Sequence, residues 1–263
     1  MTRYAAMFER CRALGEGAFG AFLMLGDPDA ATSAAYLDAL IAGGADMIEL
    51  GIPFSDPVAD GPLVQAAAVR ALQAGVRTAD CLALIADFRA RHPDIPIGIL
   101  TYANIVAARG IERFAEELAE AGAGGFGIGL SFEGRNIGDQ QAVRAAGIDL
   151  VMIAAPNTPE PALDRIASMT SGYTYCVARD GVTGADRGPA LRHAPLFEAL
   201  AGLGAAPPIL GFGIGTPAQV RDALATGAAG VISGSALVRR VAEAASPEAL
   251  SSFVSELKAA TRR

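Results

Sequence analysis

Three carboxylates punctuate the stretch IELGIPFSDPVADGP, residues 48–62: Glu49 at the end of an apolar, strand-like run, then Asp56 and Asp60 on a proline-rich loop. A carboxylate desolvated inside an apolar strand has its pKa raised toward neutrality, which suits it to general acid–base chemistry. Phe22, Leu50 and Ile153 are the neighbours expected to desolvate it. The structural alternative is a buried acid paired with arginine, but no Arg or Lys lies near Glu49 in sequence. Asp60 is a second candidate, although Asp-Gly-Pro at 60–62 also reads as a helix entry with Asp60 as N-cap. Asp56 before Pro57 equally suits a turn.

Two glycine-rich segments could bind an anion. GFGIGTPAQV (211–220) and ISGSALVRR (232–240) each run from strand to glycine loop to helix start, at Thr216-Pro217 and Gly234-Ser235. Free N–H groups at such starts cradle phosphate. The polar, glycine-rich stretch ARDGVTGADRGPA (178–190) has the composition of a lid over a site, or of an ordinary surface loop. His92 and His193 stand in helix-end contexts, and no metal-ligand spacing is present. Lys258 is the only lysine and lies near the C-terminus, which argues against an imine-forming aldolase.

The elements that must position these residues follow one grammar. AGGADMIELG (42–51), AGAGGFGIG (121–129), AAGIDLVMIA (145–154) and TGAAGVISG (226–234) each join a small-residue helix end to an apolar run. Gly44, Gly122, Gly147 and Gly227 suit a helix C′ position, where positive φ favours glycine. Further strands fit 17–25, 95–102, 173–178 and 207–213. Between strands lie amphipathic helices, one marked by Ile111, Phe114, Ala115 and Leu118, another by Leu196, Phe197, Leu200 and Leu203. A last helix, capped by Ser246, carries Leu250, Phe253, Val254 and Leu257 on one face. Tyr4, Met7, Phe8 and Cys11 mark an additional N-terminal helix.

Eight apolar strands alternating with helices indicate a parallel sheet covered by helices. A doubly wound open sheet shares this pattern, but eight units in roughly 250 residues match an α/β (β/α)8 TIM barrel. No linker divides residues 1–263, so a single domain is expected. Its active site would form at the C-terminal ends of the strands.

Composition bounds the partners. The chain is 52% hydrophobic with a net charge of −7 and no basic patch, so nucleic acid is not expected. Cys11, Cys81 and Cys176 are far apart and read as thiols of a reducing cytoplasm. The N-terminus lacks a signal-peptide core, and no apolar run reaches membrane-spanning length.

The motifs GDP (26–28), IELGIPFSDPVADGPLVQ (48–65), YAN (102–104), GYTYCVARDGVTGA (172–185), GFGI (211–214) and GAAGVISGSALV (227–238) carry a resemblance. Along essentially its whole length the chain resembles the α subunit of tryptophan synthase. The resemblance implies a lyase that cleaves indole-3-glycerol phosphate to indole and glyceraldehyde 3-phosphate in tryptophan biosynthesis. It implies Glu49 as the acid–base group and Asp60 as the partner of the indole N–H, positioned by Thr183. Phe22, Leu100, Tyr102, Ile153, Tyr175 and Phe212 would line the indole pocket, and Gly184, Gly213, Gly234 and Ser235 would hold the phosphate.

Pro53, Phe54, Asp56 and Pro57 would face a β subunit in an α2β2 heterotetramer, with pyridoxal phosphate in that partner and no cofactor or metal in this chain. The family usually ends its fourth strand in Asp-Leu-Pro or Asp-Val-Pro. Here Leu130, Ser131 and Phe132 stand instead, Gly127 and Gly129 thin a pocket wall, and Met24 replaces a common Thr. Two other readings are a stand-alone lyase releasing free indole, and a weakly catalytic activator of the β subunit.

Overall fold

The computed structural model describes residues 1–128, 137–177, 193–211 and 213–262. Helix α1 (Arg3–Ala13) precedes β1 (Ala18–Met24), α2 (Ala30–Ala42), β2 (Met47–Gly51), α3 (Pro62–Gln73) and α4 (Thr78–Arg91). Next come β3 (Ile97–Thr101), α5 (Ala103–Arg109), α6 (Ile111–Glu120), β4 (Gly125–Ile128) and α7 (Ile137–Ala145). They are followed by β5 (Asp149–Val151), β6 (Ile153–Ala154), α8 (Glu160–Met169), β7 (Thr174–Val177) and α9 (Ala194–Gly202). The chain closes with β8 (Pro208–Gly211), α10 (Pro217–Ala225), β9 (Gly230–Ser233), α11 (Ser235–Ala242) and α12 (Pro247–Ala259).

All pairings among these strands are parallel, in the order β5-β4-β3-β2-β1-β9-β8-β7-β6. The two ends of that order, β5 and β6, are separated only by Met152. They are therefore two halves of one strand, and the sheet closes into the expected eight-position barrel. The fifth strand pairs with β4 through its first half and with β7 through its second.

Alternation sends side chains to two cores. One lies between sheet and helices and contains Phe19, Ile48, Leu50, Phe126, Val231 and Leu257. The other fills the barrel and contains Phe22, Met47, Val151, Tyr173, Tyr175 and Ile232, with Tyr4, Met7 and Phe8 from α1. Because Tyr4 packs on Tyr173, just before β7, α1 plugs the N-terminal end of the barrel.

The helix termini follow the sequence closely. Gly44, Gly122, Gly147 and Gly227 all have positive φ, and Ser246 caps α12 through a bond from Ala249 N–H. Leu203 departs from its expected core position: it is the C-cap of α9 and stands 43% exposed. Cys11, Cys81 and Cys176 are all buried free thiols. Lys258 of α12 bridges Asp46 at 2.7 Å and Glu16 at 2.9 Å, fastening the last helix to the barrel floor. Among the described residues, no helix is long and apolar enough to cross a membrane.

Candidate active site

Glu49 occupies the middle of β2 rather than its end, because pairing with β1 and β3 continues through Leu50 and Gly51. It lies between Phe22 on β1 and Gly98 on β3 in the register. Its side chain points into the barrel, whereas Leu50, the next residue, packs in the outer core. Leu50 is thus not one of its desolvating neighbours, because adjacent strand residues face opposite ways. Ile153, at the barrel mouth, is 36% exposed. The neighbour that closes around Glu49 is instead Tyr173, whose hydroxyl donates to Oε1 at 2.8 Å.

Glycine makes room for this arrangement. A Cβ built on Gly98 would lie 3.1 Å from the Tyr4 hydroxyl oxygen and 3.3 Å from that of Tyr173. One on Gly125, the next residue in the row, would lie 2.5 Å from the Tyr4 hydroxyl oxygen. Both phenols therefore occupy space that side chains on β3 and β4 would take.

The result is a carboxyl group 3% exposed, with no cation against it among the described residues. Its Oε2 is buried and has no hydrogen-bond partner there. Burial pushes the Glu49 pKa up to about 7, against a smaller downward pull from the Tyr173 bond. The arginine-paired alternative is thereby set aside: the group is poised to exchange a proton near neutral pH.

Asp60 does not cap α3. That helix has Gly61 as its N-cap, with no side-chain cap bond. The Asp60 carboxylate instead accepts from the Tyr102 hydroxyl at 2.9 Å. The same hydroxyl accepts from Ala59 N–H at 3.1 Å, and the Tyr102 ring stacks on Phe54 with centroids 5.2 Å apart. Burial raises the Asp60 pKa, with the Tyr102 bond opposing it. Behind this loop, Arg70 of α3 makes two 2.7 Å bonds to Asp27, holding the helix to the turn after β1.

Tyr175 shows that the two carboxylates share a space. Its hydroxyl pKa is raised first by burial and then by the charges of Glu49 and Asp60 together. Tyr175 lies against Gly211, where a Cβ would fall 2.1 Å from its hydroxyl oxygen. Phe22 and Leu100 belong to the same interior packing as Tyr175.

The glycine loops meet at the same rim. Thr216 caps α10 by accepting from Gln219 N–H, and Gly234 precedes α11. The buried Ser233 hydroxyl donates to the Ile214 carbonyl at 2.7 Å, drawing the two loops together. Gly213, with φ of 74°, is exposed, and Gly234 and Ser235 are half-buried. The first amides of α11 lack intrahelical acceptors by helix geometry.

Of the expected partner-facing residues, Asp56 is exposed and Phe54 and Pro57 are half-buried, while Pro53 is buried within the chain. Thr183, Gly184, Phe212, Gly129, Leu130, Ser131, Phe132 and the expected lid at 178–190 lie outside the described residues. Both histidines make structural contacts: His92 Nε2 meets Asp38 at 2.8 Å, and His193 Nε2 donates to the Val177 carbonyl at 3.1 Å. Among the described residues, no cluster of His, Cys, Asp and Glu could hold a metal ion.

Sequence reading missed Tyr173 as the partner of Glu49, although strand alternation places it on the same face as Tyr175. It also assigned the positioning of Asp60 to Thr183 alone, whereas Tyr102 holds that carboxylate directly.

Comparison with known proteins agrees with this fold. The family model described as "Tryptophan synthase alpha chain" matches residues 8–262. The chain is similar to the tryptophan synthase alpha chain of Yersinia pseudotuberculosis, 47% identical over 272 residues and 100% of both chains. It is 46% identical to that of Shewanella amazonensis over 99% of this chain and 100% of the relative. A solved chain of Mycobacterium tuberculosis tryptophan synthase superposes with a TM-score of 0.90 at 31% identity, covering 100% of this chain and 99% of the other. The chain belongs to the tryptophan synthase alpha chain family.

Proposed function

We propose that the chain cleaves indole-3-glycerol phosphate to indole and glyceraldehyde 3-phosphate. The observation that carries this reading is Glu49: a buried carboxyl with one unpartnered oxygen, no countercharge among the described residues, and a pKa of about 7.

Breaking the bond between indole C3 and the glycerol chain returns its electron pair to the ring, so C3 must first gain a proton. Glu49 in its acid form donates that proton, and the positive charge that develops on the ring is greatest near N1. Asp60, an acceptor when ionised, takes the N1–H bond and stabilises that charge. The Glu49 carboxylate then removes the proton of the side-chain hydroxyl as the carbon–carbon bond breaks and the aldehyde forms. Glu49 ends protonated, as it began, and the proton balance closes. No cofactor is needed in this chain, because the protonated indole ring is itself the electron sink.

Phe22, Leu100, Tyr102, Ile153, Tyr175 and Phe212 enclose the ring in this reading. The amides around Gly184, Gly213, Gly234 and Ser235 hold the phosphate, and Thr183 completes the support of Asp60. Phe54, Asp56 and Pro57 meet a pyridoxal-phosphate β subunit that receives the indole, in an α2β2 assembly in the cytoplasm. Pro53 supports that loop from within.

The test is indole release by the purified protein, alone and with a β subunit. Wild type should form indole without its partner. Glu49→Gln should lose at least a factor of roughly 10²–10⁴, the usual worth of a general acid–base group. Retention of more than about a tenth of the wild-type rate would remove Glu49 from this role.

A further inference from the structure

A glycine inside a strand weakens it, and some local demand must justify its presence. For most strand glycines among the described residues, crowding supplies that demand. A Cβ would come within 3.1 Å or less of a neighbouring atom at Gly20, Gly51, Gly98, Gly125, Gly211 and Gly230. Gly127 on β4 is the exception. Its nearest contacts would be the Val151 carbonyl oxygen at 3.5 Å, then Leu100 Cδ1 and Val151 Cβ at 3.7 Å, which is ordinary packing. Nor does Gly127 adopt the positive φ that would exclude other residues. Among the described residues, neither backbone nor packing asks for glycine there. The close approach of a ligand would ask for it.

Its position names the ligand. Gly127 pairs with Leu100 on β3 and Val151 on β5. These neighbours pack in the barrel interior, and this row lies one step above that of Glu49, Gly98 and Gly125. We infer that Gly127 is a specificity-determining residue whose missing side chain leaves a recess, between Leu100 and Val151, for a small apolar substituent on the substrate's aromatic ring. The inference rests on the reading of the substrate as an indole-glycerol phosphate. A methyl or chloro group fits such a wall; a charged substituent would forfeit its hydration.

The test compares kcat/KM for indole-3-glycerol phosphate and its 4-, 5-, 6- and 7-methyl derivatives in wild type and Gly127→Ala. At one ring position, wild type should accept the methyl group. Gly127→Ala should there lower the methylated-to-parent ratio by roughly tenfold or more, since one methyl-sized contact sets discrimination of about 10–200-fold. Calorimetric binding of plain and methylated 3-indolylpropyl phosphates reads the same ratio without turnover, so a variant of poor activity still gives an answer. An unchanged ratio at every ring position overturns the recess. Failure of wild type to cleave the parent compound instead overturns the assigned reaction.

Discussion

The Tyr173 hydroxyl donates to Glu49 Oε1 at 2.8 Å, while Oε2 of the same carboxyl faces no partner among the described residues. One oxygen is anchored, and the other is open to a proton. Burial sets the pKa near neutrality, and the phenol restrains it. The proton affinity of this carboxyl is therefore set by two opposing influences, burial and the phenol, each of which a mutation can remove.

Tyr173→Phe deletes the restraining bond while preserving the ring. Because that bond favours the ionised form, the Glu49 pKa should rise above about 7. A kcat–pH profile should show its alkaline limb, set by loss of the Glu49 proton, displaced upward by roughly one unit for a bond to a charged acceptor worth about 1.5 kcal/mol. A superimposable profile would mean that Tyr173 does not tune the catalytic proton.

Glu49 also costs stability in a pH window of known sign. Its folded pKa of about 7 lies above the ordinary 4.5 of a solvated glutamate, so the folded state binds the extra proton between those values. The contribution is fully present below pH 4.5 and is lost as pH rises through about 7. Glu49→Gln lacks this loss. In chemical denaturation its stability relative to wild type should climb across the window by up to about 3 kcal/mol and then level off. A constant difference from acid to alkaline pH would contradict a buried, neutral Glu49.

Tyr102→Phe removes the hydroxyl shared by Asp60 and Ala59 but keeps the stack on Phe54. Losing an anchor of a charged group is worth about 1–3 kcal/mol, so kcat should fall by roughly 5- to 100-fold, with a smaller change in KM. The split matters, because in the proposed mechanism Asp60 acts on charge that develops only in the transition state. A rise in KM alone would assign Tyr102 to binding.

Inorganic phosphate and glycerol phosphate should inhibit competitively and raise the thermal midpoint of wild type, as a native-state ligand must. Gly234→Ala is a clean probe of the site. Its new Cβ would sit 3.6 Å from Phe22, so the fold accommodates it while the approach to the first amides of α11 narrows. Gly213→Val imposes a side chain on a φ of 74° as well as blocking the loop. Both variants should lose the phosphate-induced shift. Undiminished protection in both would place the phosphate elsewhere.

Local chemistry was legible in the sequence wherever a residue answers to its immediate neighbours. Positive φ at Gly44, Gly122, Gly147 and Gly227, the Thr216 and Ser246 caps, and the eight-fold alternation of strand and helix follow from backbone sterics and short-range hydrogen bonds. The apolar run around Glu49 likewise announced a desolvated carboxylate. Tertiary structure decided what that carboxylate touches. Tyr173 is 124 positions away along the chain and Tyr4 comes from the opening helix, and the two rings pack with centroids 5.3 Å apart at the barrel floor. Asp60 could have capped its own helix, but Tyr102, 42 positions on, offered a donor in a less solvated place. Closure of the barrel brings residues of distant strands into one ring. A sequence records their spacing along the chain, whereas the pKa of Glu49 depends on their spacing across the barrel.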